Sequence, residues 1–312
     1  PPRCSAGSDM TPLPDWGICT TVKAPVDQVL AFAAHHLALG PARIWLHFDD
    51  PDDPALPRAA DLPRVTAVAC GEAYWQALLG RRPGKHQLRQ SRNVERVYTL
   101  GAVPWLLHID IDEFLLPRRL VPEVLSEVPD DCPVLRLAPW EALHDPSLRP
   151  DIFTARHFRR ALKGRAWDPL RRAVFGDYAD LLPQGALSHA VGKCFFRRGV
   201  PGMQPRIHGA EVDGEKLNGG AFCPDIALLH FHAQDPAGWR ARLDFRRMKG
   251  AYSFNLGLAG FLAAASDAER ADFYDATQVA HPHVLALLRE GGALIEADLG
   301  LSARVAALEA AS

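Results

Sequence analysis

The sequence predicts an α/β protein in which a mostly parallel sheet is flanked by helices and followed by C-terminal helices. Three observations lead there. Through residue 117, apolar segments rich in β-branched and aromatic residues alternate with stretches of helical period, the pattern of βαβ units. Polar and acidic residues stand at the carboxyl ends of those strands, where open α/β sheets collect their ligands. From PAGWRARLDFRRMKG onward, apolar residues return at helical spacing.

The first strand is WGICTTVKA, ended by Pro25. VDQVLAFAAHHLALG follows as a helix, because Val26, Val29, Leu30, Ala33 and Leu37 recur at steps of three and four, and Gly40 stops it. ARIWLHF is the second strand and runs into the proline-punctuated loop DDPDDP; RVTAVAC is the third. A helix is expected from about Gln87 to Leu100, and WLLHIDIDEFLL reads as a fourth strand whose end carries acids. Strand ends therefore place Thr20, Thr21, Asp49, Asp110 and Asp112 on one rim. Beyond Pro117 the strands are shorter, including VLRLAPW and KCFFRRG, and the closing HPHVLALLREGGALIEADLGLSARVAALEAA reads as helix, turn and helix. No internal repeat, low-complexity tract or linker composition divides the chain.

A length of 312 residues with 48% hydrophobic content suffices for a sizeable core. The formal net charge of −2 gives no overall pull toward nucleic acid or an anionic membrane, which leaves that role to local basic patches. The strongest basic run, Arg81, Arg82, Lys85, Arg89, Arg92 and Arg96, lacks interleaved aromatics, so no nucleic-acid partner is expected. Six scattered cysteines without a CxxC pair indicate free thiols rather than a zinc knuckle or disulfide framework. No apolar segment approaches the roughly 20 residues that span a bilayer, and PPRCSAGSDM lacks a basic region followed by a hydrophobic one. A soluble, cytoplasmic protein is expected, with membrane contact at most peripheral.

Asp110, Asp112 and Glu113 interrupt the greasy run LLHIDIDEFLLP, and a buried carboxylate requires a positive or hydrogen-bonding partner. A divalent cation is the most economical candidate. In an extended strand Asp110 and Asp112 share a face, offering two hard oxygen ligands of the kind Mg²⁺ and Mn²⁺ prefer. His230 and His232 form a second i, i+2 pair in LLHFHAQ, and an imidazole in the shell favours Mn²⁺. Thr20, Thr21 and Lys23 end the first strand with groups compatible with base and ribose contacts. Arg89 or Arg92 can offer a guanidinium to a diphosphate.

The succession CTTVKAP, HHLALG, LHFDDPDD, HIDIDEFL, GKCFFRRG and ALLHFHAQDPAGW resembles the bacterial family 2 glycosyltransferases and the related family 92 type enzymes of GT-A fold. It covers roughly residues 16–247, and HIDIDEFL, matching the Asp-x-Asp-Glu-Phe signature, is its most specific part. The resemblance implies a Rossmann-like GT-A domain over 16–247, with a nucleotide-binding half at 16–117 and an acceptor half at 118–247. Residues 1–15 remain as a tail and 248–312 as a C-terminal helical extension. It implies a donor that is a nucleotide diphosphate sugar, UDP-sugar first, with Mn²⁺ or Mg²⁺ as cofactor, and inversion at the transferred carbon. The acceptor expected is a hydroxyl of a glycan, a glycolipid or a small-molecule glycoside.

By the same resemblance Asp112 ligates the metal, Asp110 meets ribose or a bridging water, Asp49 contacts the nucleoside, and His230 is preferred over His232 as a ligand. The chain departs from the family where Ala24 and Pro25 replace the usual Asn-Glu. For a catalytic base the acceptor half offers Glu141 and Asp145 in PWEALHDP, and His208 and Glu211 in RIHGAE. Trp140 and Trp167 can stack on an acceptor sugar. Two other readings use the same residues: a metal-dependent phosphoesterase or nucleotide-sugar hydrolase, and an inactive sugar-nucleotide-binding module.

Overall fold

The structure, a computed structural model, describes residues 12–311; Cys4 and most of the tail lie outside. Ten strands make the main sheet. They are β1 (Trp16–Val22), β2 (Arg43–Phe48), β3 (Val65–Ala69), β4 (Trp105–His108), β5 (Glu113–Pro117), β6 (Val134–Ala142), β7 (His157–Arg160), β8 (Lys193–Arg197), β12 (Phe222–His230) and β13 (Leu294–Glu296). Between β8 and β12, the strands β9 (Met203–Arg206), β10 (Gly209–Val212) and β11 (Glu215–Leu217) form a separate antiparallel meander. The strands of the first half follow the order β4-β1-β2-β3 and are parallel throughout, with Ile18 opposite Ile44 and Cys19 opposite His108. Strands β6, β12 and β13 share that direction; β5, β7 and β8 oppose it. The sheet is thus mostly parallel and flanked by helices, consistent with the expected Rossmann-like GT-A arrangement.

The helices of the first half are α1 (Val26–Ala38), α2 (Ala55–Ala60), α3 (Glu72–Leu79), α4 (His86–Leu100) and α5 (Val121–Ser126). Then come α6 (Asp168–Phe175), α7 (Pro236–Ala241), α8 (Leu243–Met248), α9 (Leu256–Ala264), α10 (Asp267–Gln278), α11 (Pro282–Glu290) and α12 (Leu301–Ala311). Helix α1 is buried along Val29–Leu37 because the sheet covers one side, while α12, through the buried Leu301, joins the same core. Gly101, at φ 62°, caps α4 in the left-handed conformation that an L side chain resists. A second core of aromatic and aliphatic residues, including Trp239, Tyr252 and Phe273, holds α6–α11 together.

Two expectations need correction. The stretch 105–116 is two strands, with a turn over residues 109–112 between them. The chain reverses there because β5 runs antiparallel to β12, so the acids sit in a turn and strand alternation does not align them. Helix α1 also helps to hold β5: His35 Nε2 donates to the Leu115 carbonyl at 2.8 Å, and the Leu115 N–H donates to His36 Nε2 at 3.3 Å. Burial pushes the pKa of both imidazoles down, which keeps them neutral and able to divide donor and acceptor roles this way. At the other end of the chain, the turn expected between two helices contains β13, which pairs antiparallel with β7.

Candidate active site

Lys193 answers the question posed by the acid cluster. It opens β8 wholly buried, with Nζ 2.6 Å from Asp110 Oδ2 and 3.5 Å from Glu113 Oε2. Gly192 makes this possible: at φ +77° it lies so close to β6 that an added Cβ would stand 1.9 Å from the Leu137 carbonyl oxygen. The ammonium holds the Asp110 carboxyl well below the usual carboxylate range, despite the opposing cost of burial. Glu113, fully buried and next to the Asp110 charge, is pushed up to about 7, although Lys193 pulls it the other way. Gln90 Nε2 donates to Asp110 Oδ1 at 2.7 Å, and the Asp110 N–H donates to Glu113 Oε2 at 2.7 Å. Protein groups therefore occupy Asp110.

A second set of donors remains open beside it. His230, at the end of β12, has Nε2 3.8 Å from Asp112 Oδ2 and Nδ1 3.3 Å from Ser188 Oγ. His189 has Nε2 3.9 Å from Glu113 Oε1. One ligand atom from each of Glu113, His189 and His230 lies within 4.8 Å of the others. Glu113 Oε1 and His189 Nδ1 are buried and have no hydrogen-bond partner among the described residues. A buried, unpaired carboxylate oxygen with two imidazoles beside it is a set that could hold a divalent ion through mixed oxygen and nitrogen ligands. His232 is engaged elsewhere, with its Nε2 3.1 Å from the Tyr252 hydroxyl.

The acid turn separates two cavities. One is a cleft of about 910 Å³ lined by Thr21, Lys23, Asp49, Lys85, Arg89 and Gln90, among others. Gln90 both lines it and bonds Asp110, so one side chain links the cleft wall to the turn. The other, of about 240 Å³, is lined by Asp112 with Pro25, Gln28, Phe153, Trp239 and Arg242.

The remaining expected residues divide into those that face this region and those that do not. Thr21 faces the cleft, whereas Thr20, its neighbour on the strand, is buried on the other side. Asp49 faces it but is bridged to Arg89 through both oxygens at 2.6 and 2.7 Å, with Arg82 at 3.1 Å. Arg92 pairs with Glu95 and lines a neighbouring depression instead. Trp140 and Trp167 both hold the Arg160 guanidinium over their rings.

The four candidate bases differ in what they still offer. Glu141 is a buried partner of Arg159 and accepts the backbone N–H groups of Leu187 and Ser188, which fixes the loop carrying Ser188 and His189. We expect Glu141→Gln to lower stability by roughly 2 kcal/mol in denaturant unfolding, through the weakened charge-assisted bonds, and to loosen that loop. Asp145 closes a turn with Ser147, and Glu211 is bound by Arg206 on the small meander. His208 stands edge-on to His189, ring centroids 4.5 Å apart, and its Nδ1 lies 2.8 Å from the Gly192 carbonyl. Burial and then Lys193 lower its pKa to about 4, so the ring is neutral. Donation from Nδ1–H makes Nε2 the acceptor atom of the neutral ring.

The contributions of Lys193, His189, Glu113 and Gln90 are not apparent from strand and helix periods alone. Lys193 does carry a signal, a lone lysine opening the apolar strand KCFFRRG. His189 lies in a loop without any pattern, and only the fold brings it to Glu113.

No protein-family model matches the chain, and no curated protein matches it in sequence. Among solved structures it is similar to S. aureus TarS residues 1–349, with 11% identity over 95% of this chain and 91% of that one and a TM-score of 0.31. It is also similar to a mannose-1-phosphate geranyltransferase from Thermus thermophilus, with 12% identity over 84% and 68% of the two chains and a TM-score of 0.24. Likeness at this level fixes neither family nor activity.

Proposed function

We propose that the protein is a metal-dependent glycosyltransferase that moves a sugar from a nucleotide diphosphate sugar, UDP-sugar foremost, to a hydroxyl acceptor. The observation that carries this reading is the acid turn itself, which stands between a large basic-lined cleft, tied to it by the Gln90–Asp110 bond, and a smaller cavity lined by Asp112. Such a wall lets donor and acceptor meet at one set of ligands. In this reading the nucleotide lies in the larger cleft, with Lys23 and Lys85 toward its phosphates and the Asp49–Arg89 pair toward its base or ribose. Asp112, Glu113, His189 and His230 would hold the ion, which offsets negative charge on the departing diphosphate. Lys193 fixes Asp110 and Glu113, and of the four candidate bases His208 is the one not already held by an arginine or a turn. Transfer to the face opposite the leaving group would invert the sugar carbon.

The test is product analysis with UDP-sugars and Mn²⁺, with and without simple glycoside or alcohol acceptors. Acceptor-dependent glycoside formation is expected. Release of free sugar or phosphate at the same rate with and without acceptor would favour hydrolysis instead.

Asp49 gives a narrower prediction. Asp49→Ala should weaken UDP binding by roughly 1 to 3 kcal/mol in calorimetry, since it removes an acceptor and frees Arg89 from its fixed position. Asp50→Ala and Asp52→Ala should bind as the wild type does; equal affinity for all three would show that the pair does not touch the nucleoside.

A further inference from the structure

The mouth of the larger cleft carries an unusual concentration of exposed apolar side chains. Of the ten large ones exposed among the described residues, four fall between residues 245 and 256: Phe245, Met248, Phe254 and Leu256. Phe254 is 88% exposed and Leu256 82%. Leu79 and Leu88 add two more in the depression that shares Gly84 and Lys85 with the cleft. Isolated exposed apolar residues need no explanation, but a contiguous group does.

The charge lining the cleft and the depression is predominantly positive. Lys23, Lys85 and Lys249 line the cleft, and Arg81 and Arg82 line the depression. Asp49, already bridged to Arg89 and Arg82, is the sole carboxylate lining either cavity among the described residues. Protruding apolar tips set among flexible cations match the bilayer interface, where tips enter the acyl boundary and ammonium and guanidinium groups reach headgroup phosphates. Within α8, between Phe245 and Met248, Arg247 pairs with Asp244 at 3.2 Å.

We propose that this face docks on an anionic lipid surface, so that the cleft opens onto the membrane. The docking stands on the surface alone. Its corollary, a lipid-borne hydroxyl acceptor, rests on the transferase reading.

Vesicle co-sedimentation without nucleotide or metal tests the docking. Vesicles of equal parts phosphatidylcholine and phosphatidylglycerol should bring the protein down, pure phosphatidylcholine should not, and salt should release it. Phe254→Ser with Leu256→Ser should weaken binding about tenfold or more, and since both side chains project into solvent, the fold should be retained. Arg81→Glu with Lys249→Glu should abolish the preference for anionic vesicles. Wild-type protein left in the supernatant with both vesicle types, or sedimenting equally with both, would overturn the proposal. So would variants that bind as the wild type does. A protein that binds these vesicles but never forms a glycoside would sink only the transferase reading, whereas one that glycosylates a soluble acceptor and ignores vesicles would sink only the docking.

Discussion

Lys193→Met should destabilise the protein by roughly 3 to 5 kcal/mol in denaturant unfolding, because it strips two carboxylates of their buried cation while preserving most of the side-chain volume. Lys193 is wholly buried, and Glu113 has no exposure through which water could replace the ammonium. The sign of the pH dependence follows from Glu113. A carboxyl whose folded pKa is raised contributes stability at low pH and loses it as pH climbs from the unfolded value toward the folded one, here about 7. Removing Lys193 raises that folded value further, so the deficit should be larger at about pH 8 than at about pH 5. A variant as stable as the wild type at both would mean that the acid turn does not depend on Lys193.

Asp112→Ala should lower Mn²⁺ affinity about a hundredfold or more and remove metal-dependent donor binding, with little change in stability. Its side chain is a quarter exposed and comes no nearer than 3.8 Å to the His230 imidazole, beyond hydrogen-bond reach, so its loss breaks no hydrogen bond to that buried ring. Calorimetric titration of Mn²⁺ reads this directly. His230→Ala should follow the same direction, and His232→Ala should instead disturb the Tyr252 and Trp239 hydroxyl–indole cluster behind it. Unchanged Mn²⁺ affinity in Asp112→Ala would remove Asp112 from the ligand set.

The parallel half of the fold is largely legible in the sequence because each strand there is a continuous apolar run and the helices Val26–Ala38 and His86–Leu100 have a clear period, whereas the short helices α2 and α3 are not read from it. The strand at Trp16–Val22 and the helix at Val26–Ala38 need only local rules. The acid turn is not legible in this way: LLHIDIDEFLLP has a strand's alternation throughout, and only pairing with β12 and the His35 and His36 clamps from α1 show that the chain bends. The same limit applies to charge. The sequence signals that three acids need compensation, but Lys193 lies 83 positions from Asp110 and reaches it only once β8 is placed against β4. Asp49 and Arg89 likewise face each other because β2 and α4 border one cleft, so the acid expected at the nucleoside and the arginine expected at the diphosphate are one bridged unit.

The most direct measurement of the central claim is a thermal-shift comparison of UDP-sugars and other nucleotide sugars with and without Mn²⁺, using wild-type protein and Asp112→Ala. A ligand that prefers the native state raises apparent stability with its occupancy. The account predicts that at least one nucleotide diphosphate sugar raises the wild-type Tm in the presence of Mn²⁺, more than it does without the ion, and that Asp112→Ala loses the Mn²⁺-dependent part. No shift from any nucleotide sugar under either condition, or a shift equal in both proteins and indifferent to Mn²⁺, would contradict it.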